Sequence, residues 1–405
     1  MRHYLRATTL VAAGLVIAGP AALHAGGLDR TGQPIDLLFE DGNYATFGFS
    51  QTIPSLSGTG TGRVARTPFN PTGAIGAGTG YSDVGLDFDN VTAGVKLQLT
   101  DDLSAALLFS QPFGAGIEYG GDSDSTELGG TFAKADTDML TAILRYKFDE
   151  SWSVHGGVRI ERASGEIGLS GLAYGAPQAA IPPGAPAFAG GFNGYSVDLE
   201  ERIDVGWLVG FAYEIPDIAL RLAVTYNSPI THNFDTTEFY LGRVIGESET
   251  EVSLPQSLNI DFQTGIAEDT LLFANYRFAE WSEFKIEPEL FTPAAQQGLV
   301  NLRDYHTFTL GLGRQFTDRF AASAAMTYEA TVSDDLVSPL DPTNGLFAIS
   351  LGGAYDVTED VTVSGGVRYT WIGNARAETG TPDTARAVFE DNSAVSVGFS
   401  VGYRF

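Results

Sequence analysis

Ser393–Phe405 reads SAVSVGFSVGYRF, and its alternation decides the fold. Val395, Val397, Phe399, Val401, Tyr403 and Phe405 fall on one parity; Ala394, Ser396, Gly398, Ser400, Gly402 and Arg404 fall on the other. Successive strand side chains point to opposite faces, so the segment has one apolar face and one small, mostly polar face. In a soluble sheet the apolar face meets a core. In a membrane barrel it meets lipid, and the polar face lines a lumen. A strand that closes on an aromatic residue also fits the signal read by the bacterial barrel-assembly machinery, an expected partner during biogenesis.

The opposite end of the chain fits export. Arg2 and Arg6 precede an apolar run from Leu10 to Leu23, followed by Ala25. This pattern predicts a signal peptide over residues 1–25, with Leu23 large for its position before the cut. Past it, no stretch approaches the roughly 20 apolar residues of a membrane helix. An exported chain that spans a membrane without apolar helices must do so as a closed barrel. Cysteine is absent, which removes disulfides and thiolate chemistry. A net charge of −27 argues against nucleic acid, whose binding depends on cations. No cofactor or metal motif appears. Gly58-Thr59-Gly60-Thr61-Gly62 lacks the following helix of a phosphate loop.

A period-2 reading of the chain predicts about fourteen strands. They lie near 43–53, 84–100, 103–113, 138–149, 151–167, 195–215, 218–232, 251–267, 270–287, 302–316, 319–332, 345–357, 361–372 and 387–405. Short acidic or proline turns such as Asp101-Asp102, Pro216-Asp217 and Glu268-Asp269 alternate with long segments near 54–83, 114–137, 168–194, 233–250, 288–301, 333–344 and 373–386. Such sorting belongs to an all-β, transmembrane up-and-down antiparallel β-barrel, with tight turns in the periplasm and long loops outside. The expected divisions are residues 1–25 as signal peptide, 26–42 as a short N-terminal hatch or plug, and 43–405 as the barrel. In that plug Pro34, Leu37, Leu38 and Phe39 suit packing against a lumen wall. The expected location is the bacterial outer membrane, as a monomer beside lipid and lipopolysaccharide.

Several motifs resemble the FadL-type long-chain fatty-acid transporter family. Ala274-Asn275-Tyr276 followed by Trp281-Ser282-Glu283-Phe284 is similar to that family's "Y…WSxF" strand, with Leu254-Pro255 ahead of it. Asp304, Phe308, Leu310 and Gly311 resemble the strand after the next loop, and Tyr226-Asn227-Ser228-Pro229 with Phe234 resembles a "YxS…F" segment. The resemblance runs from about Gly26 to Phe405 and is strongest over 220–405. Two departures stand out. The hatch is short and lacks the family's Asn-Pro-Ala motif, with Gly32-Gln33-Pro34 to Phe39 its nearest counterpart, and the loop at 233–250 is short.

The resemblance implies passive uptake of long-chain fatty acids or similar hydrophobic molecules. Relatives that carry monoaromatic hydrocarbons supply one alternative, and a general diffusion porin supplies another. A fatty acid needs an apolar track and a cation at one end. The uncharged stretch Leu172–Gly194 carries Tyr174, Ile181, Phe188 and Phe192, which fit an external apolar groove or a loop packed over the barrel mouth. Family practice places an Arg and a Lys from barrel strands on the carboxylate. Lys285 lies beside the family motif, and Arg159 (or its neighbour Arg162) follows from parity; each fits equally a cation paired with lumen carboxylates. Parity on the predicted 270–287 strand turns Phe284 and Ile286 to lipid. Gln111-Pro112-Phe113-Gly114 breaks the third strand, since proline cannot donate to the ladder and glycine bends. In the family a kink there opens the wall for lateral exit; an ordinary strand end is the alternative. No hydrolase motif surrounds His155, His232 or His306, so no enzymatic role is expected.

Overall fold

The computed structural model describes residues 28–331, 336–380 and 383–405; the predicted signal peptide lies outside the described residues. Fourteen antiparallel staves close a barrel. They are β1 (Tyr44–Ser55), β2 (Phe88–Gln98), β3 (Leu103–Ser110, resuming at Gly114–Glu118), β4 (Phe132–Lys147), β5 (Trp152–Leu169), β6 (Tyr195–Ile215), and β7 (Leu220–Asn227, resuming at Ile230–Tyr240). The second half comprises β8 (Arg243–Leu254, resuming at Ser257–Ala267), β9 (Thr270–Ala279), β10 (Tyr305–Thr317), β11 (Phe320–Glu329), β12 (Leu346–Asp356), β13 (Val361–Ile372) and β14 (Asn392–Arg404). Pairing of β14 with β1, from Tyr44↔Arg404 to Ser55↔Ser393, closes the cylinder.

The alternation of the last strand becomes an inside and an outside. Val397 and Phe399 are 44% and 50% exposed, whereas Ala394 and Ser396 are buried. Aromatic pairs gather where the staves end. Tyr146–Phe148, Phe316–Phe320 and Tyr403–Phe405 lie near the tight turns, and Tyr276–Phe308 and Phe347–Trp371 lie toward the long loops. Amphipathic rings favour the two membrane interfaces, so these girdles mark the membrane's thickness.

Two sequence expectations are corrected here. The predicted loop at 233–250 is instead strand: β7 and β8 run on to a turn at Leu241-Gly242, both with positive φ. Charged and polar residues hid that extension, because a stave projecting beyond lipid no longer needs an apolar outer face. The predicted strand 270–287 ends at Ala279, and Trp281–Glu283 forms a helical turn. Phe284 and Ile286 therefore do not face lipid; both are buried in an inner apolar cluster with Trp281.

A small sheet built from Gly58–Gly60, Gly80–Tyr81, Leu336–Val337, Ala375–Glu378 and Ala385–Phe389 caps the long-loop end. Inside the barrel lie residues 28–42. The Arg277 side chain of β9 contacts Asp29, Gly32 and Gln33; Arg221 pairs with Asp36; Lys96 Nζ donates to the Glu40 and Gly42 carbonyls. Phe39 lies between the Arg145 and Arg221 guanidinium groups, 4.5 and 4.4 Å from its ring centre.

Candidate functional site: a route through the barrel

Three cavities lie in series. The outermost is a vestibule of about 1580 Å³ among the long loops, lined by Tyr174, Phe192, Lys285, Phe291 and Arg386 among others. Lys285 is exposed and shares the vestibule with Glu287. Beneath its rim Phe188 packs on Phe192, Tyr195 and Tyr240 at 5.1, 5.9 and 5.5 Å between ring centres. Ile181 belongs to the same apolar cluster. The fold thus gathers Tyr174, Ile181, Phe188, Phe192 and Lys285 from two loops at one end of the barrel.

The second cavity is an apolar chamber of about 70 Å³. Its walls include Leu28, Phe113, Ile167, Leu199, Phe234, Leu254, Phe284 and Ile286. An engineered protein cavity of about 150 Å³ admits benzene, so a ligand enters this smaller chamber only by displacing side chains. Phe113 meets Trp281 edge-on at 5.5 Å and thereby ties the break in β3 to the family-like Trp281 segment.

A third cavity, also about 70 Å³, lies against the wall between β1, β2 and β3. Here the β2–β3 ladder is interrupted. It runs from Gln98↔Ser104 to Ala93↔Phe109, then resumes in the same register as an isolated Gly85↔Ile117 bridge. Across the interval the Gln111 side chain, rather than a main-chain carbonyl, accepts from Val91 N at 3.0 Å. The inner edge of β3 pairs with the N-terminal segment instead: Arg30 N donates to Pro112 O and Gly114 N to Leu28 O, each at 2.7 Å. Pro112 and Gly114 therefore sit in the middle of a stave and not at its end. Against β4, three residues (Gln111 to Phe113) oppose two (Thr137 and Asp138), the count of a bulge.

Leu340 and Asp341, on the loop between β11 and β12, line all three cavities. Burial pushes the Asp341 carboxyl up to about 7; the Thr343 hydroxyl, which donates to it at 2.8 Å, opposes that rise, and Glu329 adds to it.

Arg159 lines none of these three cavities. It faces the lumen, buried, and donates to Ser228 O at 3.0 Å beside the proline break in β7. Arg162 is exposed on the outer side and pairs with Asp138 and Glu201. In the segment inside the barrel, Leu37 and Leu38 are buried and Pro34 is exposed. Sequence reasoning missed Arg30, Asp29, Arg277 and the Leu340–Asp341 junction. Arg30 left a signal, being the sole basic residue in 26–42 beside four acidic ones. The junction left none.

A family model described as "Outer membrane protein transport protein (OMPP1/FadL/TodX)" matches residues 88–405. The chain belongs to this family. The protein is accordingly an outer-membrane β-barrel of a family of transport channels for hydrophobic molecules, not of enzymes. Solved structures of this FadL/TodX fold are similar to it. A Pseudomonas aeruginosa FadL homologue superposes with a TM-score of 0.69 at 15% identity, covering 96% of this chain and 100% of that one. The P. putida toluene transporter TodX gives 0.62 at 14% identity, covering 92% of each chain. The Ralstonia pickettii toluene transporter TbuX gives 0.59 at 12% identity, covering 96% and 97%. No curated protein sequence matches the chain.

Proposed function

We propose that this chain takes up long-chain fatty acids and similar hydrophobic molecules by passive diffusion across the outer membrane, as a monomer. Loop aromatics Tyr174, Phe188 and Phe192 with Ile181 receive the apolar chain, while Lys285 meets the carboxylate. The chain then enters the apolar chamber and leaves sideways at Pro112–Gly114. Residues 28–42 act as the hatch. The observation that carries this reading is the series of three cavities ending where β2 and β3 part. A route that ends at the wall delivers an amphiphile to lipid, and lipopolysaccharide outside otherwise blocks that partition. A general porin requires an open aqueous lumen, whereas residues 28–42 lie across this one with Phe39 held between two arginines.

A second reading, uptake of monoaromatic hydrocarbons, draws support from the small, almost wholly apolar chamber. Such ligands have no use for a cation. Uptake of oleate and toluene by cells carrying wild type or Lys285→Ala separates the two. Fatty-acid transport predicts that oleate uptake falls several-fold in the variant with toluene unaffected. Toluene uptake without oleate uptake in wild type favours the second reading, and unchanged oleate uptake in the variant removes Lys285 from the path.

A further inference from the structure

The Arg30 side chain does not stay in the lumen. Its backbone pairs with the inner edge of β3, but its guanidinium lies over the α-carbon of Gly114, where a Cβ would stand 2.2 Å from Cζ. Gly114 is the cross-strand partner of Asp136, so the two share a face. That face is the outer one: Asp136 falls in the same parity row as exposed Lys134 and Leu140, while Ala133 and Met139 of the opposite row are buried. Arg30 therefore passes through the interrupted β2–β3 seam. It lies 4.5 Å over the Phe88 ring and 3.5 Å from the Asp136 carboxylate.

The setting suits exchange of one anion for another. Arg30 is 8% exposed, yet the Asp136 side chain is 81% exposed. An exposed carboxylate at 3.5 Å is a weak, solvent-screened partner for a guanidinium. Lys134, Asp136, Asp138 and Arg162 populate this outer level, and charges there place it above the hydrocarbon zone, at headgroup height. An amphiphilic acid leaving through the seam would carry its tail into lipid and its carboxylate to this level. The wall cavity beside Arg30 is lined by Leu28, Leu86, Phe88 and Ile117, an apolar approach to a single guanidinium.

We propose that Arg30 is the carboxylate-binding residue of the wall exit, taking the head of an amphiphilic acid in place of Asp136. The planar guanidinium fork matches a carboxylate with two parallel hydrogen bonds, which the distant Asp136 does not supply. This assignment rests on the fatty-acid reading above and gives the seam a preference for acids over neutral hydrocarbons.

The test uses the full-length protein in a neutral detergent, so that no lipid phosphate competes, with oleate and oleyl alcohol as probes of equal chain length. Arg30→Gln is expected to weaken oleate binding about tenfold or more and leave oleyl alcohol within about twofold. Asp136→Asn, a change at an exposed side chain, is expected to tighten oleate severalfold by removing the competitor, again without moving oleyl alcohol. A purely structural latch predicts no tightening in Asp136→Asn and equal losses for both probes in Arg30→Gln; either result overturns the proposal. Should Arg30→Gln fail to fold, the Asp136→Asn measurement alone decides. If wild type binds neither probe, the fatty-acid reading itself falls. If wild type and both variants bind oleate equally, only the role of Arg30 does.

Discussion

The Arg277 guanidinium holds the Asp29 carboxylate at 2.6 Å, with both side chains 4% exposed, and so fastens the N-terminal segment to β9. The same guanidinium reaches Gly32 O and Gln33 Oε1 at 3.2 Å and Asn259 Oδ1 at 2.9 Å. Removing one partner of a buried ion pair strands the other charge and costs about 3–5 kcal/mol. Arg277→Ala should therefore free the hatch while the barrel, held by its own ladders, stays closed. Planar-bilayer recording should show larger and longer openings than wild type; a variant as silent as wild type would remove this pair from the gate.

Pro112 keeps a donor out of the seam, and its carbonyl serves the Arg30 amide. Pro112→Val restores an N–H and favours extended backbone, which draws β2 and β3 together. Oleate uptake should fall severalfold, with heat-modifiable migration on gels unchanged. Full uptake by a folded variant would dismiss the seam as the way out.

Asp341 gives the route a pH dependence. Its carboxyl titrates near 7, raised chiefly by burial, with Glu329 adding to the rise and Thr343 opposing it. Tyr119 and Tyr305 also feel its charge. A carboxyl raised in the folded state binds its proton more tightly there than when unfolded. Its contribution to stability is thus full below about pH 4 and is lost as pH climbs to about 7. Above 7 the junction of all three cavities carries a negative charge that repels a passing carboxylate. Oleate uptake should drop between about pH 6 and 8 in wild type beyond the drop seen in Asp341→Asn, and identical profiles would exclude this residue.

Arg159 reaches the break in β7. Its hydrogen bond to Ser228 O satisfies a carbonyl where Pro229 interrupts β7. Arg159→Ala should lower stability by about 1–3 kcal/mol, the loss expected for a buried charged hydrogen bond, read as a lower denaturation midpoint. Oleate affinity of the folded variant should match wild type; a tenfold loss would return Arg159 to the ligand path.

Period-2 alternation marked about fourteen staves and their outward face, because a strand in lipid must repeat apolar residues at every second position. Turn chemistry located the short connections for the same local reason, and Val397 and Phe399 face outward as their parity requires. Parity failed where lipid stopped imposing it. Residues 233–240 and 243–250 form strand without an apolar outer face, and Phe284 and Ile286 are apolar without being strand. The route was less legible still. Arg30 and Gly114, Asp29 and Arg277, and Leu340 with the chamber are each far apart in the chain. Only barrel closure, which winds distant segments around one lumen, brings them within reach.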